Sequence, residues 1–290
     1  MNNSLVLTVS GMILITALST TAFTAVSAGQ ATAKANQVRV KYVPPKNPEH
    51  QQIYEFLKER QSLEQLQEFL SPFRLQWPLD ITLTGCDGEP DAMYDDDEIT
   101  ICYEYIEELQ KYMPAETTPA GINPVDTLIG PFVDTVLHEF AHALFDYADI
   151  PVLGREEDAA DQVSAYIYLQ LGRDEARRLI TGTVYAYMLE VQDTDPPDME
   201  EYADEHGTSE QRAINLSCMA YGADPKLFKD IVIRVGVPQY RIDICKEEFE
   251  LISFAFQKLI APHIDPELAK KVYDRSWLPD KNFNLPNSKR

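Results

Sequence analysis

The pentapeptide His-Glu-Phe-Ala-His at residues 138–142 constrains this chain more than any other feature of its sequence. It lies in a stretch whose apolar residues recur at helical spacing, namely Val133, Val136, Leu137, Phe140, Ala141 and Leu144. This periodicity predicts an amphipathic helix over about residues 133–145. On such a helix the two histidines lie one turn apart on one face, so both imidazoles can bind one metal ion.

Glu139 lies beside the face that carries His138 and His142, where its carboxylate can remove a proton from a metal-bound water. A pattern this short also arises by chance, in on the order of one such chain in a hundred. The amphipathic helix and an acidic residue downstream favour the functional interpretation. We therefore predict that both histidines bind the metal and that Glu139 is the general base.

A second predicted helix begins at about Glu156 and continues to Leu171, with acidic residues in its first turn. Glu157 and Asp161 are four residues apart and therefore share one face of this helix. Because a catalytic zinc site has three protein ligands and a water, we expect Glu157 to be the third ligand. Asp161 is then expected to accept the N–H of a ligand imidazole. The predicted cofactor is one zinc ion per chain.

Two alternatives to Glu157 as a ligand stay open. Glu156 is the competing ligand, but the residue one turn after it is Ala160, which cannot support a histidine. The segment could also be a solvated acidic helix start, an interpretation that the preceding histidine motif weakens.

Four segments resemble a bacterial family of exported metallopeptidases of the gluzincin, or thermolysin-like, type. They are CDGEPDAMYDDDEITICYE, HEFAHALFD, PVLGREEDAADQ and EHGTSEQRAINLSCMAYGADP. The resemblance covers about residues 40–285. It implies hydrolysis of peptide bonds by a zinc-activated water. It also implies zinc binding by His138, His142 and Glu157, with Glu139 as the general base and Asp161 as the carboxylate that supports a ligand imidazole.

Gluzincins also present an edge strand carrying Asn-Ala, which pairs with the substrate backbone. The resemblance places Asp91 and Ala92 at these positions, ahead of a predicted strand at 98–103. Asp91 departs from the expected asparagine, and an ionised carboxylate accepts hydrogen bonds but donates none. Substrate binding by Asp91 and Ala92 is therefore a weaker expectation than the metal site.

The transition state of peptide hydrolysis gains negative charge, so the site needs an oxyanion stabiliser. His206 and Arg212 are the candidates, with Tyr221 behind them, and we assign the catalytic role to His206. His206 is expected to begin a capped helix over 206–218. The alternatives are that His206 is a surface residue and that Arg212 pairs with the acidic loop before it.

The overall pattern predicts an α+β fold of gluzincin type, in which a small mixed sheet with an edge strand precedes a mostly helical half. Strands are expected at 38–43, 79–84 and 98–103, the last two forming a hairpin or lying as neighbours. Helices are expected at 48–70, 103–113, 133–145, 156–171, 175–191, 206–218, 225–234 and 246–259. Loops are expected at 114–124, 149–154 and 193–205.

Residues 1–28 contain no charged side chain and are mostly apolar between Leu5 and Val26, which predicts a secretory signal peptide. Because no Lys or Arg precedes the apolar stretch, an uncleaved N-terminal anchor is the alternative. We expect a flexible segment at 29–47 and the metallopeptidase domain at 48–285. The mature protein is expected to be periplasmic or secreted, without stable membrane insertion.

Cysteine usage agrees with export, because the chain has four: Cys86, Cys102, Cys218 and Cys245. They contain no Cys-x-x-Cys pair, which argues against a cysteine-based zinc site. Four cysteines allow three pairings, of which we favour Cys86–Cys102 and Cys218–Cys245 because the partners are near in sequence. Four reduced thiols remain the alternative.

The net charge is −22, from 25 Lys+Arg against 47 Asp+Glu. A surface this acidic repels phosphate backbones, and we therefore expect no nucleic-acid partner. The expected partner is a peptide or protein substrate. Two other functions stay open: a zinc-binding module that has lost catalysis, and a zinc hydrolase of non-peptide amides. The intact Glu139 argues against the first and Asp91 argues mildly for it, whereas the second shares every ligand.

Overall fold

In the computed structural model of the chain, the residues described are 37–193, 197 and 199–279. The predicted signal peptide at 1–28 lies outside these residues. Within them, none of the helices combines the length and the apolar character that crossing a bilayer requires.

The sheet has four strands, β1 (Val38–Tyr42), β2 (Leu79–Thr84), β3 (Ala92–Asp95) and β4 (Glu98–Cys102), in the spatial order β1-β2-β4-β3. Strands β1, β2 and β4 are parallel, and β3 pairs antiparallel with β4 at one edge. This is the predicted small mixed sheet with an edge strand. The hairpin alternative for β2 and β4 is wrong, because the acidic turn at Asp96 and Asp97 joins β3 to β4 instead. Asp96 and Asp97 take the positive φ angles that a two-residue hairpin turn needs.

Strand β1 confirms the strand predicted at 38–43, and it lies inside the segment 29–47 that was otherwise expected to be flexible. It is the outer strand at the other edge of the sheet, and Val38 at its start is almost fully buried. The Gln67 side chain donates a hydrogen bond to the Val38 carbonyl and ties this strand to a helix. The exposed charged positions Arg39 and Lys41 account for the expectation of flexibility, but charges of this kind also protect an edge strand.

The helices are α1 (Gln51–Glu59), α2 (Ser62–Phe69), α3 (Tyr103–Lys111), α4 (Pro124–Tyr147), α5 (Glu156–Tyr168), α6 (Arg173–Asp193), α7 (Met199–Ala203), α8 (Ser209–Ala223), α9 (Pro225–Val235), α10 (Gln239–Ile242), α11 (Cys245–Leu259) and α12 (Pro266–Tyr273). The single helix predicted over 48–70 is divided, because Gln61 adopts a left-handed conformation with a φ of 54°. Helix α7 lies within the stretch predicted to be a loop, and α10 and α12 were not predicted.

Helix α4 carries the histidine motif and begins nine residues before its predicted start, at Pro124 instead of 133. Asn123 caps it by accepting a hydrogen bond from the Val125 N–H, and Pro124 occupies a first-turn position that needs no donor. Pro131 lies inside the helix and concealed this extension, because proline normally ends a helical pattern.

One part of the core lies between the sheet and α4. The most buried side chains include Ile81 and Ile101 of the sheet and Leu137 and Phe140 of α4. On its other side α4 meets α6 so closely that a Cβ atom on Gly182 would lie 1.9 Å from the Asp126 carbonyl oxygen. The motif is thus held on a helix that is packed on both sides.

Two disulfides join Cys86 to Cys102 and Cys218 to Cys245, with Cα–Cα distances of 5.5 and 5.0 Å. These are the two pairs that the sequence favoured. The first links the loop after β2 to the end of β4, and the second links α8 to α11.

Candidate metal centre

Three potential ligand atoms converge between α4 and α5. The Glu157 Oε2 atom lies 2.9 Å from the Nε2 atom of His138 and 3.3 Å from that of His142. The two Nε2 atoms are 3.2 Å apart. Helix α4 places the histidines one turn apart, and Glu157 reaches them from the first turn of α5.

Each imidazole has a carboxylate behind it. The Nδ1 atom of His138 lies 2.8 Å from the Asp161 Oδ1 atom, as the sequence predicted. The Nδ1 atom of His142 lies 2.8 Å from the Glu156 Oε1 atom. Neutral imidazoles that donate from Nδ1 to these carboxylates present bare lone pairs at Nε2.

Glu156 therefore lies behind a predicted ligand, whereas the sequence suggested it only as a competing ligand. The residue one turn after it, Ala160, cannot bond a histidine, as the sequence indicated. This argument ranked Glu156 below Glu157 as a ligand, but it did not reveal the contact of Glu156 with His142. The partner of Glu156 is a histidine on the neighbouring helix. Only the packing of α5 against α4 reveals that contact, so no spacing rule within one helix could have found it.

The three atoms suit a metal ion of the zinc type. Two neutral imidazole nitrogens and a carboxylate oxygen face one another, an arrangement that repels unless a cation or a proton lies among them. In a tetrahedral zinc site with bonds of about 2.0–2.1 Å, ligand atoms lie roughly 3.3 Å apart. The observed separations of 2.9, 3.2 and 3.3 Å are close to this value.

The described residues contain one other group of three potential ligands, Cys86, Cys102 and Glu104. Its two sulfur atoms form a disulfide, so they are not thiolates and do not offer a metal site.

The electrostatic field at the group favours a cation. Burial alone would lower the pKa of His138, but hydrogen bonds to Asp161 and Glu157 outweigh it and raise that pKa to about 9. The hydrogen bond from His138 lowers the pKa of Glu157 to about 2, against the opposing effect of burial. A site that holds a proton this strongly also attracts a metal ion, which competes for the same lone pair.

Arg212 lies behind Asp161, and its ion pair is with this carboxylate instead of with the described residues of the acidic loop at 193–205. Its Nε and Nη2 atoms donate to the two Asp161 carboxylate oxygens at 3.0 and 2.7 Å, a bidentate ion pair. The guanidinium group also lies 4.9 Å from the centre of the Tyr187 ring. Although burial opposes it, Arg212 together with His138 holds the pKa of Asp161 well below its usual range. Arg212 thus fixes the carboxylate that orients His138. Tyr221 lies more than two turns further along α8.

His206 lies at the solvent-exposed edge of the group formed by His138, His142 and Glu157. Its Nε2 atom lies 2.8 Å from the Glu157 Oε2 atom, and its ring centre is 5.8 Å from that of His138. Asp204 accepts hydrogen bonds from the His206 backbone N–H at 2.8 Å and from Nδ1 at 3.3 Å. His206 precedes α8 instead of starting it, because Thr208 provides the capping box. The helix continues to Ala223, beyond its predicted end at 218.

Glu139 faces the edge strand. Its carboxylate is buried and accepts a hydrogen bond from the Tyr94 backbone of β3. Burial raises its pKa, although the neighbouring His138 and His142 oppose this effect. The Tyr94 hydroxyl donates to Asp146 of α4 at 3.0 Å, which gives β3 a second attachment to the motif helix.

Asp91 and Ala92 lie where β3 begins. The Asp91 carbonyl accepts a hydrogen bond from the Cys102 N–H at 3.0 Å, which starts the pairing of β3 with β4. The exposed Asp91 carboxylate accepts from the Ala92 N–H at 2.8 Å. Both residues therefore belong to the edge strand region, and their contact with a substrate stays a prediction.

A family model described as "Putative metallopeptidase" matches residues 42–260, and the chain belongs to this family. The matched region contains every residue of the candidate metal centre. The family implies a metal ion and a hydrolase, and it confirms the family resemblance predicted from the four sequence segments. No curated protein and no solved structure matches the chain. The two disulfides agree with an extracellular or periplasmic location.

Proposed function

We propose that this chain is an exported zinc-dependent peptidase that hydrolyses peptide bonds at the centre between α4 and α5. One observation carries the proposal: the Nε2 atoms of His138 and His142 and the Oε2 atom of Glu157 lie within 3.3 Å of one another. A carboxylate behind each imidazole supports the same conclusion, because such partners fix the tautomer that binds a metal.

His138, His142 and Glu157 would hold the zinc ion. When bound, zinc supplies a Lewis acid for the scissile carbonyl and lowers the pKa of water at the site. Asp161 and Glu156 keep Nδ1 of each imidazole protonated, so that Nε2 stays available. The bidentate contact of Arg212 prevents Asp161 from rotating away.

Glu139 is the proposed general base, which takes a proton from the attacking water and returns it to the leaving amine. The rise in its pKa on burial increases its proton affinity, which suits this exchange near neutral pH. Its hydrogen bond to Tyr94 also holds it between the metal ligands and the edge strand.

His206 is the proposed oxyanion stabiliser. Its Nε2 atom already points at the ligand group, 2.8 Å from Glu157, and the contact of its Nδ1 atom with Asp204 holds the ring in this orientation. A protonated Nε2 can donate to the negative charge that develops on the substrate carbonyl oxygen.

The proposed substrate is an extended peptide that adds to β3 as a further strand, which is a common mode of peptide recognition. Within the part of the chain that the structure describes, β3 pairs with β4 only, so no further strand covers its other edge. The exposed carboxylate of Asp91 is expected to favour positively charged side chains nearby.

A second candidate function is a metal-binding module without catalysis. The observation that favours it is the Asp91 carboxylate, which replaces a donor with an acceptor at the start of the edge strand. The buried Glu139 carboxylate argues against it, because a purely structural site needs no base beside its ligands.

A peptide-library digest tests the proposal. The mature chain is loaded with zinc and incubated with mixed peptides, with and without a chelator, beside a Glu139→Gln variant. We expect cleavage that the chelator abolishes and that Glu139→Gln loses while it retains zinc in elemental analysis. Zinc retention without any chelator-sensitive cleavage would favour the binding module, and absence of stoichiometric zinc would overturn the ligand assignment.

A further inference from the structure

Helix α11 carries apolar side chains on two opposite faces. Phe249, Ile252 and Phe256 pack inward against the core. Leu251 and Phe254 point outward, and each is 64% exposed. A helix at a protein surface normally has one apolar stripe, so the second one needs a different explanation.

The outward residues form a regular row. Glu247, Leu251, Phe254 and Lys258 are all exposed and follow one another at intervals of four, three and four residues. Positions at this spacing share one face of an α-helix. We call these four residues the outer row of α11.

The outer row is symmetric about its midpoint. Leu251 and Phe254 lie at equal distances on either side of the centre, and Glu247 and Lys258 lie at equal distances beyond them. If two copies of α11 pack antiparallel about a two-fold axis at this centre, Leu251 of one copy meets Phe254 of the other. The same operation brings each Glu247 to the Lys258 of the second copy.

We propose that the outer row of α11 is a self-association surface that joins two copies of this chain in an antiparallel helix pair. A two-fold interface uses the same patch on both partners, so the patch must be complementary to itself. Opposite charges at equal distances from an apolar centre meet that requirement. This charge complementarity is what identifies the second copy as the occupant.

One neighbouring residue extends the apolar area. Ile244 lies seven residues before Leu251, which places it on the same face of the helix, and it is 48% exposed. With Leu251 and Phe254, its exposed surface amounts to roughly 300 Å² per copy. A stable interface buries about 800 Å² per partner, so a weak and reversible dimer is expected.

The outer row is also held rigidly. The disulfide between Cys218 and Cys245 attaches the start of α11 to α8, and the inward face of the helix is packed. The Lys258 ammonium group lies 5.7 Å from the centre of the Phe254 ring, which keeps the charged end beside the apolar centre. Little ordering is needed on association, which lowers its entropic cost.

Charge reversal tests the pairing directly. Lys258→Glu places two carboxylates opposite each other at both ends of the helix pair, and Glu247→Lys places two ammonium groups there. Each variant alone is expected to raise the dimer dissociation constant about three- to tenfold, because both ion pairs become repulsive. An equimolar mixture of the two variants is expected to restore dimers, since opposite charges meet again at both ends of the mixed pair.

The charges at the two ends of a mixed dimer explain why the mixture should recover. A mixed dimer contains one Lys258→Glu chain and one Glu247→Lys chain. At one end of the helix pair the two substituted positions meet, so a glutamate faces a lysine. The other end joins the two unchanged positions, Glu247 of one chain and Lys258 of the other. Both ends are therefore attractive, whereas both ends of either homodimer are repulsive.

Sedimentation velocity of the mature chain over about 1–200 µM gives the association constants, a range chosen for weak dimers. Leu251→Asp is expected to remove the dimer, and Lys271→Glu on α12 is the control that changes charge equally elsewhere. Far-UV circular dichroism checks that each variant is folded. A wild-type monomer at all concentrations, equal weakening by Lys271→Glu, or no recovery in the mixture would overturn the proposal.

Discussion

The two sides of the metal centre are built differently. On the ligand side, comprising His138, His142 and Glu157, each imidazole is bonded to a carboxylate. On the proposed substrate side, comprising Glu139 and strand β3, the contacts are a backbone hydrogen bond from Tyr94 to Glu139 and the hydrogen bond of the Tyr94 hydroxyl to Asp146.

The contrast suggests a division of tasks. The ligand side must exclude alternative geometries, because a metal ion is lost when its ligands can rotate. The substrate side must instead leave backbone groups available for an arriving peptide. We therefore expect substitutions on the ligand side to change metal affinity, and substitutions on the substrate side to change rate at constant metal content.

The largest expected effect lies on the substrate side. Glu139→Gln preserves shape but removes basicity, so kcat/KM should fall about 10²–10⁴-fold. Zinc content should remain at one per chain, because Glu139 is not among the converging atoms. Parallel kinetics and elemental analysis measure both quantities. Full activity would show that another group is the base.

Glu157→Ala tests the opposite side. Loss of a ligand should weaken zinc binding by at least about a hundredfold, since even supporting residues are worth 10–100-fold. Activity should then recover in part when excess zinc is supplied, unlike that of Glu139→Gln. Competition with a chromophoric chelator gives the affinity. Unchanged affinity would exclude Glu157 as a ligand.

The pH dependence of zinc binding tests whether the carboxylates on the ligand side raise the pKa of His138. Below a His138 pKa of about 9, each zinc ion must displace a proton from the site. Affinity should therefore rise about tenfold per pH unit until about pH 9 and then level. Titration of the metal-free protein between about pH 6 and 10 measures this. Levelling near 6.5, the ordinary histidine value, would mean that the carboxylates do not raise the pKa.

The two supporting carboxylates should differ in importance. Asp161→Asn should lower zinc affinity about 10–100-fold, because this carboxylate is held by Arg212 and orients the buried His138. Glu156→Gln should cost less, because the Glu156 side chain is 54% exposed and competes with water. Asp174→Asn on α6 serves as a control in the same chelator competition. Equal losses for Asp161 and Glu156 would contradict this ranking.

The smallest expected effect concerns Asp91. Asp91→Asn supplies a donor at the start of β3, and a regained hydrogen bond of about 1 kcal/mol should raise kcat/KM on neutral peptides several-fold. Any preference for Lys-containing peptides should decline with the lost charge. Asp95→Asn, at the other end of β3, is the matched control. If neither rate nor preference changes, Asp91 does not contact the substrate.

The sequence predicted the site best where the information is local. The one-turn spacing of His138 and His142 requires only a helix, and so does that of Glu157 and Asp161. The contact of Glu156 with His142 depends on how two helices pack, which no periodicity encodes. The metal, catalytic and substrate roles of these residues stay predictions until the variants are measured.

The same distinction explains the outcomes for the fold. The α+β organisation was confirmed, because periods of 3.6 and 2 residues distinguish helices from strands. The parallel pairing of β2 and β4 was missed, since pairing direction depends on the intervening strand β3. The break between α1 and α2 at Gln61 was not predicted, because neither glycine nor proline marks it. The N-terminal part of α4 was not predicted either, because Pro131 normally indicates a helix boundary and here lies inside a tightly packed helix.

Helix α8 links the maturation of the chain to its chemistry. It carries Arg212, which holds Asp161 in place, and Cys218, whose bridge to Cys245 attaches the helix to α11. Such bridges form in oxidising compartments and not in the cytosol. With the proposed export, a freshly synthesised chain would lack this attachment behind its candidate metal centre until it reached an oxidising compartment, so the proposed peptidase would gain its full set of tethers only outside the cytosol.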